Sequence, residues 1–325
     1  MKNIVTIDPH TPERRVIQAA AKVLRAGGLV AFPTETVYGL GALALNPQAV
    51  RKIFTAKDRP DWDPLIVHVR DLAMAHALMK RLLPRFELLV SRFWPGPLTL
   101  VVEKAPQVPD EVTARRATVA LRMPWHPVAA ALLEATGAPI AAPSANRFGR
   151  VSPTRAEHVA EDLGDRVDMI LDAGPTPMGV ESTVIDLTQT PPVLLRPGGI
   201  SREELEKMLG TVRLATGVPD EAAQTGLAGP GMTRKHYAPR AQVELFENPQ
   251  ELQARADQLR GEGKRTGVLD TAGTIERLAQ TVFAQFRDLD TQGVEIILCL
   301  LPPPQGLGLA VRDRLLRAAG KGGQT

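Results

Sequence analysis

Apolar positions along the first two thirds of the chain switch between helical and strand-like spacing. Val16, Ile17, Ala20, Val23 and Leu24 share one helical face, and Gly27-Gly28 ends the pattern. The spacing predicts a helix capped by Thr11 with Pro12 in its first position. Leu29 to Phe32 has no polar position, the signature of a buried strand. Asn46-Pro47 opens a second helix with Val50, Ile53 and Phe54 inward. Further strands are expected over 65–69, 98–102, 118–121, 140–142, 169–171, 183–187 and 193–195. Ser201 and Glu204 have the spacing of a capping box, for a helix ending near Gly210.

The periodicity then lapses. Residues 211–239 hold Gly217, Gly226, Gly229-Pro230-Gly231 and Pro239 with little apolar content, which reads as a linker. Thr233-Arg234-Lys235-His236-Tyr237 interrupts it with polar and aromatic side chains. Beyond it, strand candidates 242–246, 266–270 and 294–301 alternate with helical stretches 249–260, 274–286 and 308–319. That alternation predicts a small α/β domain with a parallel sheet. The expected organisation is a domain over 1–210, a linker over 211–239 and a second domain over 240–325.

Composition agrees with two ordinary domains: 325 residues, 44% hydrophobic and 23% charged. No apolar run reaches the ~18 residues of a membrane helix, and the polar start up to Asp8 argues against a signal peptide. Cys299, the single cysteine, excludes an intramolecular disulfide framework and a cysteine-based zinc site, so a reduced, cytoplasmic setting is the default. The net charge of +3 is too small to imply bulk nucleic-acid binding. Two tyrosines and three tryptophans are too few for a base-stacking sheet.

The chain has no G-x-x-x-x-G-K-S/T loop, no H-E-x-x-H and no G-x-S-x-G. Gly306-Leu307-Gly308 lacks the third glycine of a dinucleotide fingerprint and reads as a tight turn. Instead, polar clusters follow the strand candidates, where open α/β sheets bind ligands. Pro33 to Gly39 offers two hydroxyls, a carboxylate and a phenol, and is either a ligand turn or a helix cap with a buried tyrosine. Lys57 and Arg59 precede Pro60 and suit a polyphosphate, or form a solvated charged loop. His68 is either a ligand or a satisfied core histidine. Thr118, Ala120 and Arg122 share one strand face, and Arg122 must meet a carboxylate ligand or a structural partner. Ser144 and Asn146 offer hydrogen bonds beside small residues, with no histidine partner to make Ser144 a nucleophile. Ser152-Pro153-Thr154 reads as a helix start, and Gly179 to Thr183 and Leu195 to Gly198 complete the series.

In this order the clusters resemble the threonylcarbamoyl-AMP synthase family, whose catalytic part is the YrdC-like domain. The likeness runs from about residue 12 to 210 through FPTETVYGLG, KDRP, PLIVHV, WPGPLTLV, VALRMP, APSAN, VSPT, GVESTV and LLRPGG. Gly231-Met232, His236 to Pro239 and the region around Asp313-Arg314-Leu315 are similar to the long, two-domain form. The resemblance implies a twisted open α/β sheet around a large cavity, with a small Rossmann-like α/β domain behind it. It implies condensation of L-threonine, bicarbonate and ATP to threonylcarbamoyl-adenylate with release of pyrophosphate. The product would feed the tRNA threonylcarbamoyltransferase machinery, with a weak tRNA contact.

Position by position, the likeness puts Thr36, His68, Arg122, the backbone of Ala142, and Ser182 at threonine. It puts Arg59, Asp63, Thr118, Ser144, Ser152, Arg196 and Tyr237 at ATP, and Asn146 joins them. Lys57 is added on chemistry, as a phosphate-stabilising cation beside Arg59. No covalent nucleophile and no protein metal ligand are expected, since Mg²⁺ would be held by the ATP phosphates. Tyr237 at the nucleotide suggests that the linker folds over the cavity as a lid, hinged at the glycines of 226–231. The rival readings are an RNA-binding module without turnover and an ATP-dependent hydrolase.

Overall fold

The protein is described here by a computed structural model over residues 3–215, 227, 229, 231–233 and 235–322. Part of the hinge segment 226–231 therefore lies outside the described residues. The strands of the first domain are β1 (Ile4–Thr6), β2 (Val30–Phe32), β3 (Gly39–Leu43), β4 (Ile66–His68), β5 (Leu98–Glu103) and β6 (Thr118–Arg122). They continue with β7 (Ile140–Ala141), β8 (Met169–Asp172), β9 (Thr183–Asp186), β10 (Val193–Arg196) and β11 (Arg213–Leu214). Among the described residues these form one mixed sheet of 11 strands in the order β1-β8-β2-β3-β7-β4-β6-β5-β9-β10-β11. Leu40, Val67, Leu100 and Leu121 face one apolar layer, and Val30, Phe32 and Ile140 face another built on helices Arg14–Arg25 and Pro127–Thr136.

Local signals explain most boundaries. Asn46 Oδ1 accepts the amides of Gln48 and Ala49 and starts helix Pro47–Lys57. Ser201 and Glu204 form the reciprocal capping box of helix Arg202–Leu209, which stops at Gly210. The expected Thr11 cap is not formed. Asp8 instead accepts the amides of His10 and Thr11 at 2.8 and 2.7 Å, making a local turn that delays the helix to Arg14. Ser152-Pro153-Thr154 is likewise not a helix start: that helix is Ala156–Leu163, and Ser152 Oγ donates to Glu181.

The second domain has β12 (Gln242–Phe246), β13 (Thr266–Val268) and β14 (Ile296–Leu300), parallel throughout in the order β12-β14-β13. Helices Pro249–Gly261, Ile275–Thr291 and Gly306–Ala318 cover them. Its core does not stop at the domain edge. Val37, Val151 and Val180 of the first domain pack with Val282, Phe283 and Phe286 of the second. Gly179, at φ +79°, lies so close to helix Ile275–Thr291 that a Cβ there would meet Ala279 O at 2.5 Å. No helix among the described residues is long and apolar enough to cross a membrane.

Candidate active site

The parallel register of β4 and β6 sets His68 directly opposite Arg122 at the ends of two central strands. β7 runs beside β4, and the Ala142 amide donates to Ile66 O at 2.9 Å, so the segment after β7 turns across the same ends. Gly39 bridges to Ser144 on its other side. Strand ends leave backbone and side-chain groups without ladder partners, and here they line one buried cavity.

One group in its lining is Thr36, His68 and Arg122. Thr34 Oγ1 accepts the Thr36 amide at 3.2 Å and donates to Val37 O at 2.7 Å, which fixes the turn carrying Thr36. Arg122 Nη2 donates to Thr36 Oγ1 at 3.0 Å and pairs with the Glu35 carboxylate at 2.7 Å. Burial, and then the neighbouring Arg122 charge, push the His68 imidazole down to about 3. His68 is therefore neutral near pH 7, a hydrogen-bonding group rather than a cation.

Two further buried arginines, Arg59 and Arg196, also line the cavity. Arg59 donates from Nε to Asp63 O at 3.1 Å and from Nη2 to Pro64 O at 2.8 Å, and it pairs with the Asp63 carboxylate at 3.0 Å. Arg196 donates from Nε to Ser182 O at 3.0 Å and from Nη2 to Ser182 Oγ at 3.1 Å, while Ser182 Oγ is 2.8 Å from Thr99 Oγ1. Each guanidinium is thus held rigid by backbone oxygen, as an anion-binding group should be.

The linker forms the last wall. Leu227 and Met232 pack on Ile66, Val101, Ala120, Val184 and Leu195, and Gly231, His236 and Tyr237 line the cavity. Tyr237 is buried with φ 58°, and its ring lies 4.2 Å from that of His236. A Cβ at Gly231 would stand 2.7 Å from the Tyr237 hydroxyl, at a φ of +75° that glycine accepts. Burial, with Arg59 and Arg317 nearby, keeps the His236 imidazole well below the usual range, so it too is neutral.

The cavity brings together Thr36, His68, Arg122, Ala142, Ser144, Arg59, Arg196 and Tyr237 from the residues expected at a site. The others stand outside its lining. Ser182 lies behind Arg196, Asp63 behind Arg59, and Ser152 against Glu181. Lys57 does not point into the phosphate end. Its ammonium donates to Ser144 O at 2.5 Å and to Asn146 O, so it ties down the loop after β7 from beneath. Burial, and then the Arg59 charge, drive its pKa well down. Asn146 turns its Nδ2 to the carbonyls of Arg147 and Arg150, both at 2.8 Å. Thr118 shares a face with Arg122 but lies four residues away, ~13 Å along the strand, in a separate cleft with Gly229.

Glu35, Glu181 and His236 were not among the expected site residues. Glu35 and Glu181 are acidic residues within short, otherwise uncharged runs beside strands, a signal that would have found them.

Comparison with known proteins identifies the family. The family model described as "Telomere recombination" (Sua5_yciO_yrdC) matches residues 22–198, and "Threonylcarbamoyl-AMP synthase, C-terminal domain" matches 200–320. A Threonylcarbamoyl-AMP synthase of Pyrococcus abyssi is 46% identical over 320 residues, covering 94% of each chain. The chain belongs to the threonylcarbamoyl-AMP synthase family. A family member from Bacillus subtilis is 43% identical, over 97% of this chain and 96% of its own. The crystal structure of P. abyssi Sua5 complexed with L-threonine superposes with a TM-score of 0.94 at 44% identity, covering 98% of both chains. The chain is thus an enzyme of this family, and the twisted sheet with its small α/β partner is the family's fold.

Proposed function

We propose that the cavity binds L-threonine at Arg122, Thr36 and His68, and ATP at Arg59, Ser144, Arg196 and Tyr237. There it joins them with bicarbonate into threonylcarbamoyl-adenylate, releasing pyrophosphate. The observation that carries this reading is a single cavity lined both by Arg122 with Thr36 and His68 and by Arg59 and Arg196 with Tyr237. With His68 neutral, Arg122, which also pairs with Glu35, is the permanent cation in this group for an amino-acid carboxylate. The threonine amine and bicarbonate give a carbamate with loss of water, and a carbamate oxygen attacks the α-phosphorus of ATP while the bond to pyrophosphate breaks. That displacement needs positioning and charge stabilisation and no enzyme nucleophile.

The residues fit a Mg²⁺ carried on phosphate oxygens. The carboxylates nearest the arginine end, Asp63 and Glu181, are already paired with Arg59 and Arg314, which leaves the ion's ligands to the nucleotide. When bound, the ion would neutralise phosphate charge. The product is a labile mixed anhydride, so an acyl transfer to tRNA by separate machinery would have to consume it, in the cytoplasm. His236 and Tyr237, with the linker around them, would act as a lid that keeps water from it. The test is pyrophosphate release by the purified chain. Turnover should require ATP, threonine and bicarbonate together. Phosphate release without threonine would instead mark an ATP hydrolase, and salt-sensitive RNA affinity without turnover an RNA-binding module.

A further inference from the structure

We propose that Arg314 of the second domain is a positioning residue for the nucleotide end of the cavity, acting through Glu181 and Tyr237. The proposal rests on the ATP reading above. Arg314 sits within helix Gly306–Ala318, and its side chain is 0% exposed. Its Nε donates to Glu181 Oε2 at 2.8 Å, and Nη1 donates to Asp313 Oδ2 at 2.8 Å. Its guanidinium carbon lies 5.1 Å from the centre of the Tyr237 ring. Glu181 and Tyr237 are both cavity wall, and Glu181 also accepts the hydroxyl of Ser152. One side chain of the second domain therefore braces a loop of the first domain and the linker that closes over it.

Its neighbours repeat the pattern. Arg317 pairs with Asp313 at 2.9 Å and donates from Nη1 to Thr233 O at 2.6 Å, and the His236 amide donates to Arg317 O at 3.3 Å. Domain docking does not need this charge, because Val37, Val151 and Val180 already pack on Val282, Phe283 and Phe286. A buried ion pair is a poor source of stability compared with an apolar pair of the same volume. What the fork supplies is geometry: it fixes a carboxylate and stacks on an aromatic ring at once.

The experiment compares the parent chain with Arg314→Met, which keeps volume, and Arg314→Lys, which keeps charge. Hydrogen exchange is followed over 231–240, with helix Arg14–Arg25 as the internal control. Calorimetric titrations with ATP and with threonine are made on the same samples. In Arg314→Met, exchange over 231–240 should accelerate and ATP affinity fall by about tenfold or more, with threonine affinity unchanged within about twofold. Arg314→Lys should recover part of both losses. Unchanged exchange over 231–240 or unchanged ATP affinity overturns the proposal. So does a loosening that reaches Arg14–Arg25 and weakens both ligands together, which marks a purely structural residue. If the parent binds no ATP while Arg314→Met still loosens 231–240 alone, the nucleotide reading fails and the bracing of Tyr237 stands.

Discussion

The guanidinium of Arg122 lies 2.7 Å from the carboxylate of Glu35, and both groups are buried. The two charges offset each other beside His68. Arg122→Ala removes a charge-assisted contact worth ~1.5–3 kcal/mol to a bound carboxylate, so threonine affinity should fall by one to two powers of ten. It also strands Glu35, and breaking a buried pair costs about 3–5 kcal/mol of stability. Calorimetry on Arg122→Ala in a Glu35→Gln background separates the two effects. Threonine binding should remain weak there while the melting temperature recovers and ATP binding changes little.

Lys57 and Arg59 are neighbours in sequence with different tasks. Arg59 lines the cavity, whereas Lys57 holds the carbonyls of Ser144 and Asn146. Lys57→Met should leave those buried carbonyls unsatisfied, at ~1–3 kcal/mol each, and weaken both substrates through the loop of Ser144. Arg59→Ala should slow pyrophosphate release with threonine titrations nearly intact. If Lys57→Met behaved as Arg59→Ala does, the ammonium would have to leave its carbonyls for the phosphates.

His68 predicts an acid-sensitive stability. Its folded pKa is about 3 against an ordinary 6.5, because burial and Arg122 oppose its charge. Between these values the unfolded chain binds the proton and the folded one does not, so stability falls as pH drops below 6.5. At pH 5 the share of this one residue is roughly 2 kcal/mol. His68→Gln should lose less stability than the parent in urea titrations from pH 7 to pH 5. His158, whose pKa is also lowered to about 3, mainly by burial, keeps part of the slope in both chains. Identical slopes would mean that His68 is protonated in the folded state.

Much of the fold was legible because it rests on local signals. Asn46-Pro47 and Ser201 with Glu204 start helices where their chemistry dictates, and the apolar runs mark the central strands. Side-chain direction was less legible. Period-two alternation puts Thr118 and Arg122 on one face, ~13 Å apart along the strand, but says nothing of the linker residues that pack beside them. Lys57 looked like a phosphate ligand because the carbonyls that claim it lie almost ninety residues away. Glu181 pairs with Arg314 as well as accepting from Ser152, and such a pairing across domains leaves no periodic trace in the chain.

The linker gives the last prediction. The cavity holds only ≈ 40 Å³ with Gly231, His236 and Tyr237 in place, little more than one water molecule occupies. Sites for small molecules run to roughly 300–1,000 Å³, so ATP and threonine can enter together only if this wall withdraws. Tyr237 holds a left-handed φ of 58°, costly for a tyrosine, so lifting the segment would relieve that strain while giving up its contacts with Arg314 and Phe283. Once closed again, the segment would separate the mixed anhydride from water. Tyr237→Ala in the full chain should therefore bind ATP more weakly and, with ATP at saturation, still consume it, yet lose product to hydrolysis. The quantity to measure is intact threonylcarbamoyl-adenylate per ATP consumed, by chromatography of quenched reactions, with AMP counted as the hydrolysis product. A severalfold fall in that ratio is expected. Cleavage by protease within 211–235 should also slow in the parent, and not in Tyr237→Ala, when ATP and threonine are added together. A parent-like ratio with parent-like protection would leave Tyr237 as packing and the linker as a tether.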